Sequence, residues 1–319
     1  VLRENLRLGA EAARAAGLVA VHQMGLSVRQ LRQLRALDAD GQLAVKVYVY
    51  LDGTERGVLD VLPRGGPGTG RGRVEVRGVK LYADGSLGSR GARLLAPYAD
   101  EAAHAGLWVT PPGELARMTR EVHARHHQVA IHAIGDAAVR QVLDTYASLP
   151  RGRARHRVEH AQVVSPPDAS RFSVLGVVAS MQPTHATSDM PWAESRLGSA
   201  RISSAYAWRT LLRAGAPLAF GSDAPVESIR PLWGLYAART RQDHAGHPAG
   251  GWRVVEALDG ASALHAFTAG AAHAVQHEKD MGTLDAGRRA DFTWLDVDPV
   301  DAPPGALLSA RVKGVAVDG

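Results

Sequence analysis

Lys80, His132, His160 and Asp223 each stand towards the carboxyl end of a short apolar run, in the settings GVKLYADGSLGSRGA, IHAIGDAA, RVEHAQ and FGSDAPVE. Imidazole and carboxylate are the ligand types that Zn²⁺ and similar ions accept. Side chains at the carboxyl ends of separate parallel strands converge above a barrel axis, so two histidines and an aspartate in these positions point to one metal site. A lysine among them is unusual, because a buried ammonium beside a cation is repelled and poorly solvated. Two states resolve the conflict: a neutral amine, or a carbamate formed with CO₂, which is an anionic oxygen ligand. A Schiff-base lysine is a third use of Lys80, but it leaves the other three residues without a shared purpose.

Each residue also has a plainer structural use. Lys80 can run its stem along apolar surface and place its amine in water. Only four of the 37 Lys and Arg residues are lysine, however, and a Gly/Ser-rich loop follows this one. His132 can be a core histidine bonded to backbone, yet Gly135-Asp136 beyond it reads as a helix start with Asp136 as N-cap. His160 can simply pack beside Glu159, and Asp223 can cap the turn at Ala224-Pro225. Around these four lie candidates for substrate contact. Asp84 and Arg90 line the loop after Lys80, with Arg90 suited to a substrate carboxylate. His185 and Asp189 follow in QPTHATSD.

The elements that must position these groups are legible as apolar runs alternating with amphipathic stretches. Strands are expected at 19–24, 43–50, 78–83, 128–133, 156–161, 176–181 and 217–222, and helices at 1–16, 27–37, 114–127, 136–148, 168–174 and 204–214. Buried strands alternating with helices predict a parallel sheet covered by helices, an α/β fold. Seven strands in series favour a (β/α)₈ TIM-type barrel lacking its first strand over an open doubly-wound sheet. Residues 53–77 are Gly- and Pro-rich and read as a loop. Its GGPGTGRG fails the phosphate-loop template, since Arg71 and Gly72 stand where Lys and Ser/Thr are required. Past residue 280 the pattern changes to two alternating strands, so residues 1–280 are expected to form the barrel and 281–319 part of a small β-sandwich.

Composition narrows the function classes. The chain has 319 residues, 45% hydrophobic and 22% charged, enough for a large core and too ordered in pattern for a disordered chain. No apolar run is long enough to span a bilayer. No cysteine occurs, which removes disulfides and thiolate sites. The formal charge of +5 invites a nucleic-acid reading, but the basic stretches 71–77 and 151–157 lack interleaved aromatics, which are only 5% of the chain. The opening VLRENLRLGAEAARAAG reads as an amphipathic helix without the apolar segment of a secretory leader. The expectation is a cytoplasmic protein with a small-molecule partner and no nucleic acid or membrane, a homodimer being among the assemblies it allows.

Six segments in order, VKLYADGSLGSRGA, HAIGDAA, RVEHAQ, MQPTHATSD, GSDAPVE and GTLDAGRRADF, resemble the YtcJ-like (amidohydrolase 3) branch of the amidohydrolase superfamily. The resemblance runs from GLVAVHQMG at 17–25 to the final VKGVAVDG. It implies a metal-dependent hydrolase on a (β/α)₈ barrel, with a β-sandwich built from both chain ends and one or two divalent ions, zinc foremost. By position it makes Lys80, on the fourth strand of the complete barrel, a carboxylated metal-bridging lysine. It makes His132 and His160, on the fifth and sixth, metal ligands. Asp223, on the eighth, would bind metal and serve as general base. The implied reaction is hydrolysis of a non-peptide C–N bond in an amide, N-acyl or cyclic amide. The superfamily's His-x-His pair on the first strand has no counterpart: His22 has Ala20 and Met24 two residues away, and His123 and His127 share Arg125. The expectation is therefore a chain that begins after that strand, with Val1 as a cut. A catalytically silent, truncated barrel is the alternative.

Overall fold

A computed structural model describes residues 1–67, 72–150, 152 and 154–319. Its first half runs α1 (Leu2–Ala15), β1 (Ala20–Leu26), α2 (Val28–Ala39), β2 (Lys46–Asp52), β3 (Val74–Tyr82), α3 (Pro112–His123), β4 (Gln128–Ala133) and α4 (Asp136–Ala147). The second half runs β5 (Arg157–His160), α5 (Pro166–Leu175), β6 (Val178–Met181), α6 (Pro183–Asp189), α7 (Ala193–Arg201), α8 (Trp208–Arg213), β7 (Leu218–Phe220), α9 (Pro231–Thr240), α10 (Gly260–Phe267) and α11 (Ala269–Ala274). A tail closes the chain with β8 (Phe292–Leu295), α12 (Ala306–Ser309) and β9 (Val312–Ala316).

Strands β1 to β7 form one parallel sheet in sequence order, and β8 pairs antiparallel with β9. The sheet is curled, with helices on its outer side, as the barrel expectation requires. The reasons are local. Strand β2 is KVYVYLD, buried at every position but the last, which suits β-branched and aromatic residues. Helix α2 begins at a capping box between Ser27 and Gln30 and buries Leu31, Leu34 and Leu37 at helical spacing. Outward-facing Val79, Val129, Ile131 and Val158 are fully buried beneath the helices.

Register sets the level of the inward side chains. Tyr82 pairs with His132, His132 with Glu159, Glu159 with Ser180 and Ser180 with Ala219, so five strands present one layer to the interior. Among the described residues β1 and β7 do not pair with each other. A cavity of about 890 Å³ extends from the strand ends down between these two edges, touching Ala20–Met24 on one side and Ala219–Asp223 on the other.

The structure corrects several boundaries. Strand β3 begins at Val74, four residues inside the expected loop, and a short 3₁₀ turn occupies Val58–Val61. The extra strand length crosses a bulge at Arg77, and at Gly78 beside it a Cβ would lie 1.9 Å from the Gln128 carbonyl oxygen, so only glycine permits β3 and β4 to pair there. Asp136 is the first residue of α4, with Gly135 as its N-cap; its side chain accepts from the backbone N–H of Leu95. Gly68–Arg71 of the Gly-rich segment, and Arg151 and Arg153 of the second basic stretch, lie outside the described residues.

The tail docks at the amino ends of the strands. Lys46, at the start of β2, is buried and donates to both oxygens of Asp291 at 2.6 Å and to Asp318 at 2.5 Å. Thr293 donates to the Gly17 carbonyl at 2.8 Å. Among the described residues no helix is long and apolar enough to cross a membrane.

Candidate metal centre

The strand ends deliver their side chains through strained backbone. His160 closes β5 at φ +76°, Ala161 follows at +43°, and Asp223 beyond β7 has φ +58°. Non-glycine residues adopt this region at a cost of roughly 1–3 kcal/mol and persist there when the surroundings over-determine them. His160 is held by its Nδ1, 2.9 Å from the Gln182 carbonyl oxygen Oε1. That oxygen accepts, so Nδ1 carries the proton and Nε2 keeps a lone pair.

His185 reaches the same point from the first turn of α6, a seven-residue helix that starts at Pro183. Its Nδ1 lies 3.2 Å from the Gln162 amide. Its Nε2 is buried without a hydrogen-bond partner among the described residues and sits 3.8 Å from Asp223 Oδ2. One ligand atom each from His160, His185 and Asp223 lie within 4.8 Å of one another. Metal bonds of about 2 Å place the donors of one tetrahedral ion roughly 3.3 Å apart, so a small contraction closes this set. An orphaned buried nitrogen facing a carboxylate is what a metal would satisfy, and the donor types fit zinc.

The other candidates fall on both sides of this group. The His132 ring lies edge-on to that of His160, with centroids 4.6 Å apart, and its Nε2 is 3.5 Å from Asp84 Oδ1. Lys80 lies deeper, its Nζ 5.0 Å above the Tyr82 ring. Lys80, His132, His160, His185 and Asp223 all line the one cavity.

Asp84 and Arg90, expected to meet substrate, do not line it. The Asp84 carboxylate accepts from the backbone N–H groups of Arg93 at 2.8 Å, Ile134 at 3.0 Å and Gly135 at 2.9 Å, bracing the loop after β3 against the start of α4. Arg90 turns outward and grips Asp100 with two bonds of 3.1 and 3.0 Å. Both side chains are engaged in loop structure here rather than turned into the cavity. His185 is the one of the three that faces the site.

Burial sets the charges. It pushes His132 down to about 3, His185 to about 4 and His160 well below the ordinary imidazole value, so all three are neutral donors at pH 7. It lowers Lys80 to about 8 and raises Asp223, the latter opposed by the Lys80 charge.

Beneath the site Arg157 fills the interior where a barrel would ordinarily hold aliphatic side chains. It donates to Glu159 at 2.7 and 3.1 Å, to Ser180 at 2.8 Å, to His22 at 2.9 Å and to Tyr50 at 3.2 Å. All five guanidinium N–H groups are thereby used. Neither this network nor the place of His185 beside Asp223 was anticipated. The alternation of Arg157 and Glu159 on the inward face of a strand was the available signal.

The model of the amidohydrolase family matches residues 2–319. The chain belongs to that family. The chain is 35% identical over 247 residues to YtcJ of Bacillus subtilis, which is named as an amidohydrolase; the match covers 77% of this chain and 47% of YtcJ. It is 30% identical over 198 residues to the N-substituted formamide deformylase of Arthrobacter pascens, covering 60% of this chain and 35% of that enzyme. An uncharacterized metal-dependent hydrolase from Pyrococcus horikoshii superposes with a TM-score of 0.86 at 32% identity, over 95% of this chain and 61% of that one. The chain thus spans between a third and a half of the length of the curated relatives it matches.

Proposed function

We propose that this chain carries the metal centre of a hydrolase that cleaves a non-peptide C–N bond in an amide, N-acyl compound or cyclic amide. The observation that supports it most is the convergence of His160, His185 and Asp223, with the unpartnered Nε2 of His185 at its centre. These three would hold one divalent ion, zinc by donor type, with His132 and Lys80 adjoining it on the same cavity. A bound ion would lower the pKa of water and polarise the scissile carbonyl.

The remaining work falls to the protein. Asp223 accepts the proton of the attacking water and returns it to the departing nitrogen, so one carboxylate serves as base and then as acid. Its raised pKa favours the return step. Lys80, with its amine lowered to about 8, is set up for carbamate formation: Nζ bonds to the carbon of CO₂ and releases a proton to solvent. Gln182 orients His160 through Nδ1, and Gln162 holds His185. The proposal includes a cytoplasmic setting and a small-molecule amide as partner.

The test is zinc content together with hydrolysis of simple N-substituted amides by the full chain and by Asp223→Asn. Zinc retention with turnover that Asp223→Asn abolishes supports the reading. Near-normal hydrolysis by that variant contradicts it. Zinc retention without turnover in either form favours the catalytically silent barrel.

A further inference from the structure

The charges around the cavity are unevenly used, and this bears on what enters it. Two cations line it, Lys80 and Arg157, and both lie deep. Arg157 has no free N–H left. Arg90 is turned away onto Asp100, and Arg196 binds the same carboxylate. Four carboxylates line the cavity: Glu159, Asp189, Asp223 and Glu227. Arg157 takes up Glu159, and Asp223 belongs to the metal group. Asp189 accepts from the Tyr206 hydroxyl, and half-buried Glu227 has no ion pair among the described residues. Glu227 lies close enough to act electrostatically on both Asp189 and Asp223.

Apolar surface completes the wall. Trp192, Tyr82, Leu87, Val226 and Ile229 line the cavity. The Trp192 ring is seated on Gly88, where a Cβ would come within 3.2 Å of it. A carboxylate entering here meets the like charge of Glu227 and no arginine with an N–H to spare among the described residues, Lys80 lying deep behind the metal group, while it still loses water. A cation meets Glu227 and an aromatic face, both attractive to it. A neutral aromatic group has the ring and aliphatic contacts alone.

We propose that the site selects amides whose group beyond the scissile bond is aromatic or apolar and either neutral or positively charged, with Trp192 and Glu227 as the specificity-determining residues. The proposal rests on the hydrolase reading of the same cavity and adds the substrate's charge to it.

Three acetanilides that differ only in the para group, carboxylate, methyl or trimethylammonium, test it on the zinc-loaded full chain. Binding is measured by calorimetry, and aniline release is followed separately. The trimethylammonium compound is expected to bind about five- to tenfold more tightly than the carboxylate, with the methyl compound between. Glu227→Lys should remove or reverse that order, Glu227→Gln should narrow it, and Trp192→Ala should weaken all three ligands, with circular dichroism confirming the fold of each variant. Equal binding of the two charged compounds, preference for the carboxylate, or no binding of any compound overturns the proposal. Failure of the hydrolase reading shows elsewhere, as absent zinc or no aniline from any compound, and leaves the binding order to be read on its own.

Discussion

His185 Nε2, on the first turn of α6, lies 3.8 Å from Asp223 Oδ2 beyond β7, and it is buried with no hydrogen-bond partner among the described residues. A buried imidazole nitrogen left unpaired costs roughly 1–3 kcal/mol. A metal shared with Asp223 and His160 removes that cost. Replacing His185 with Ala should therefore weaken zinc binding by about tenfold or more and, without metal, leave stability unchanged or raised. Calorimetric zinc titration with a metal-free urea melt reads both effects.

Asp84 gives a contrasting expectation. Its carboxylate accepts three backbone N–H bonds and is fully buried. Asp84→Ala should cost about 2–4 kcal/mol of stability by stranding those donors, measured as a lower urea midpoint. Arg90→Ala should leave the urea midpoint nearly unchanged, because its pairs with Asp100 and Glu101 are exposed to solvent screening.

The Arg157–Glu159 pair is almost wholly buried. Arg157→Met alone leaves Glu159 charged and unpaired in the interior, and a loss of about 3–5 kcal/mol is expected. The double variant Arg157→Met, Glu159→Leu should recover most of it, since apolar residues of similar size often replace buried pairs at no cost. A double-mutant cycle in urea shows whether the recovery occurs.

A histidine pair away from the site predicts the acid limb of stability. The Val129 N–H donates to His156 Nδ1 at 3.0 Å, so Nε2 carries the proton and donates to His123 Nδ1 at 2.9 Å. Burial lowers His156 to about 3, against 6.5 when unfolded. The unfolded chain thus binds a proton that the folded chain refuses, and stability present above pH 6.5 is lost as pH falls from there towards 3. The fall between pH 7 and pH 5 should be smaller in His156→Gln, by urea midpoints at both values.

What the sequence could and could not reveal follows from where each signal resides. All seven strands were found within a few residues, because runs such as KVYVYLD and QVAIHA carry β-branched and aromatic residues that suit buried strands. The start of β3 was missed, since Glu75, Arg77 and Gly78 break the apolar pattern while the backbone continues to pair. Helices α6, α7 and α9 to α12 have no counterpart among the expected helices; in α10 and α11 the runs GASALHAF and AGAAHA are rich in small residues and show no polar face. The positions of Lys80, His132, His160 and Asp223 are legible because the first three stand near the carboxyl ends of strands and the last just beyond one. His185 lies on the short helix that follows β6, and its closeness to Asp223 beyond β7 is purely tertiary. Arg90 pointed to a substrate only while Asp100, ten residues on, was not known to fold back against it.

The central claim, one ion shared by His160, His185 and Asp223, is tested most directly by X-ray absorption on the zinc-loaded full chain and its His185→Ala variant. The account predicts zinc coordinated at about 2.0 Å by nitrogen and oxygen, with the scattering of at least two imidazoles and one fewer in the variant. An identical imidazole contribution in the two proteins would contradict it.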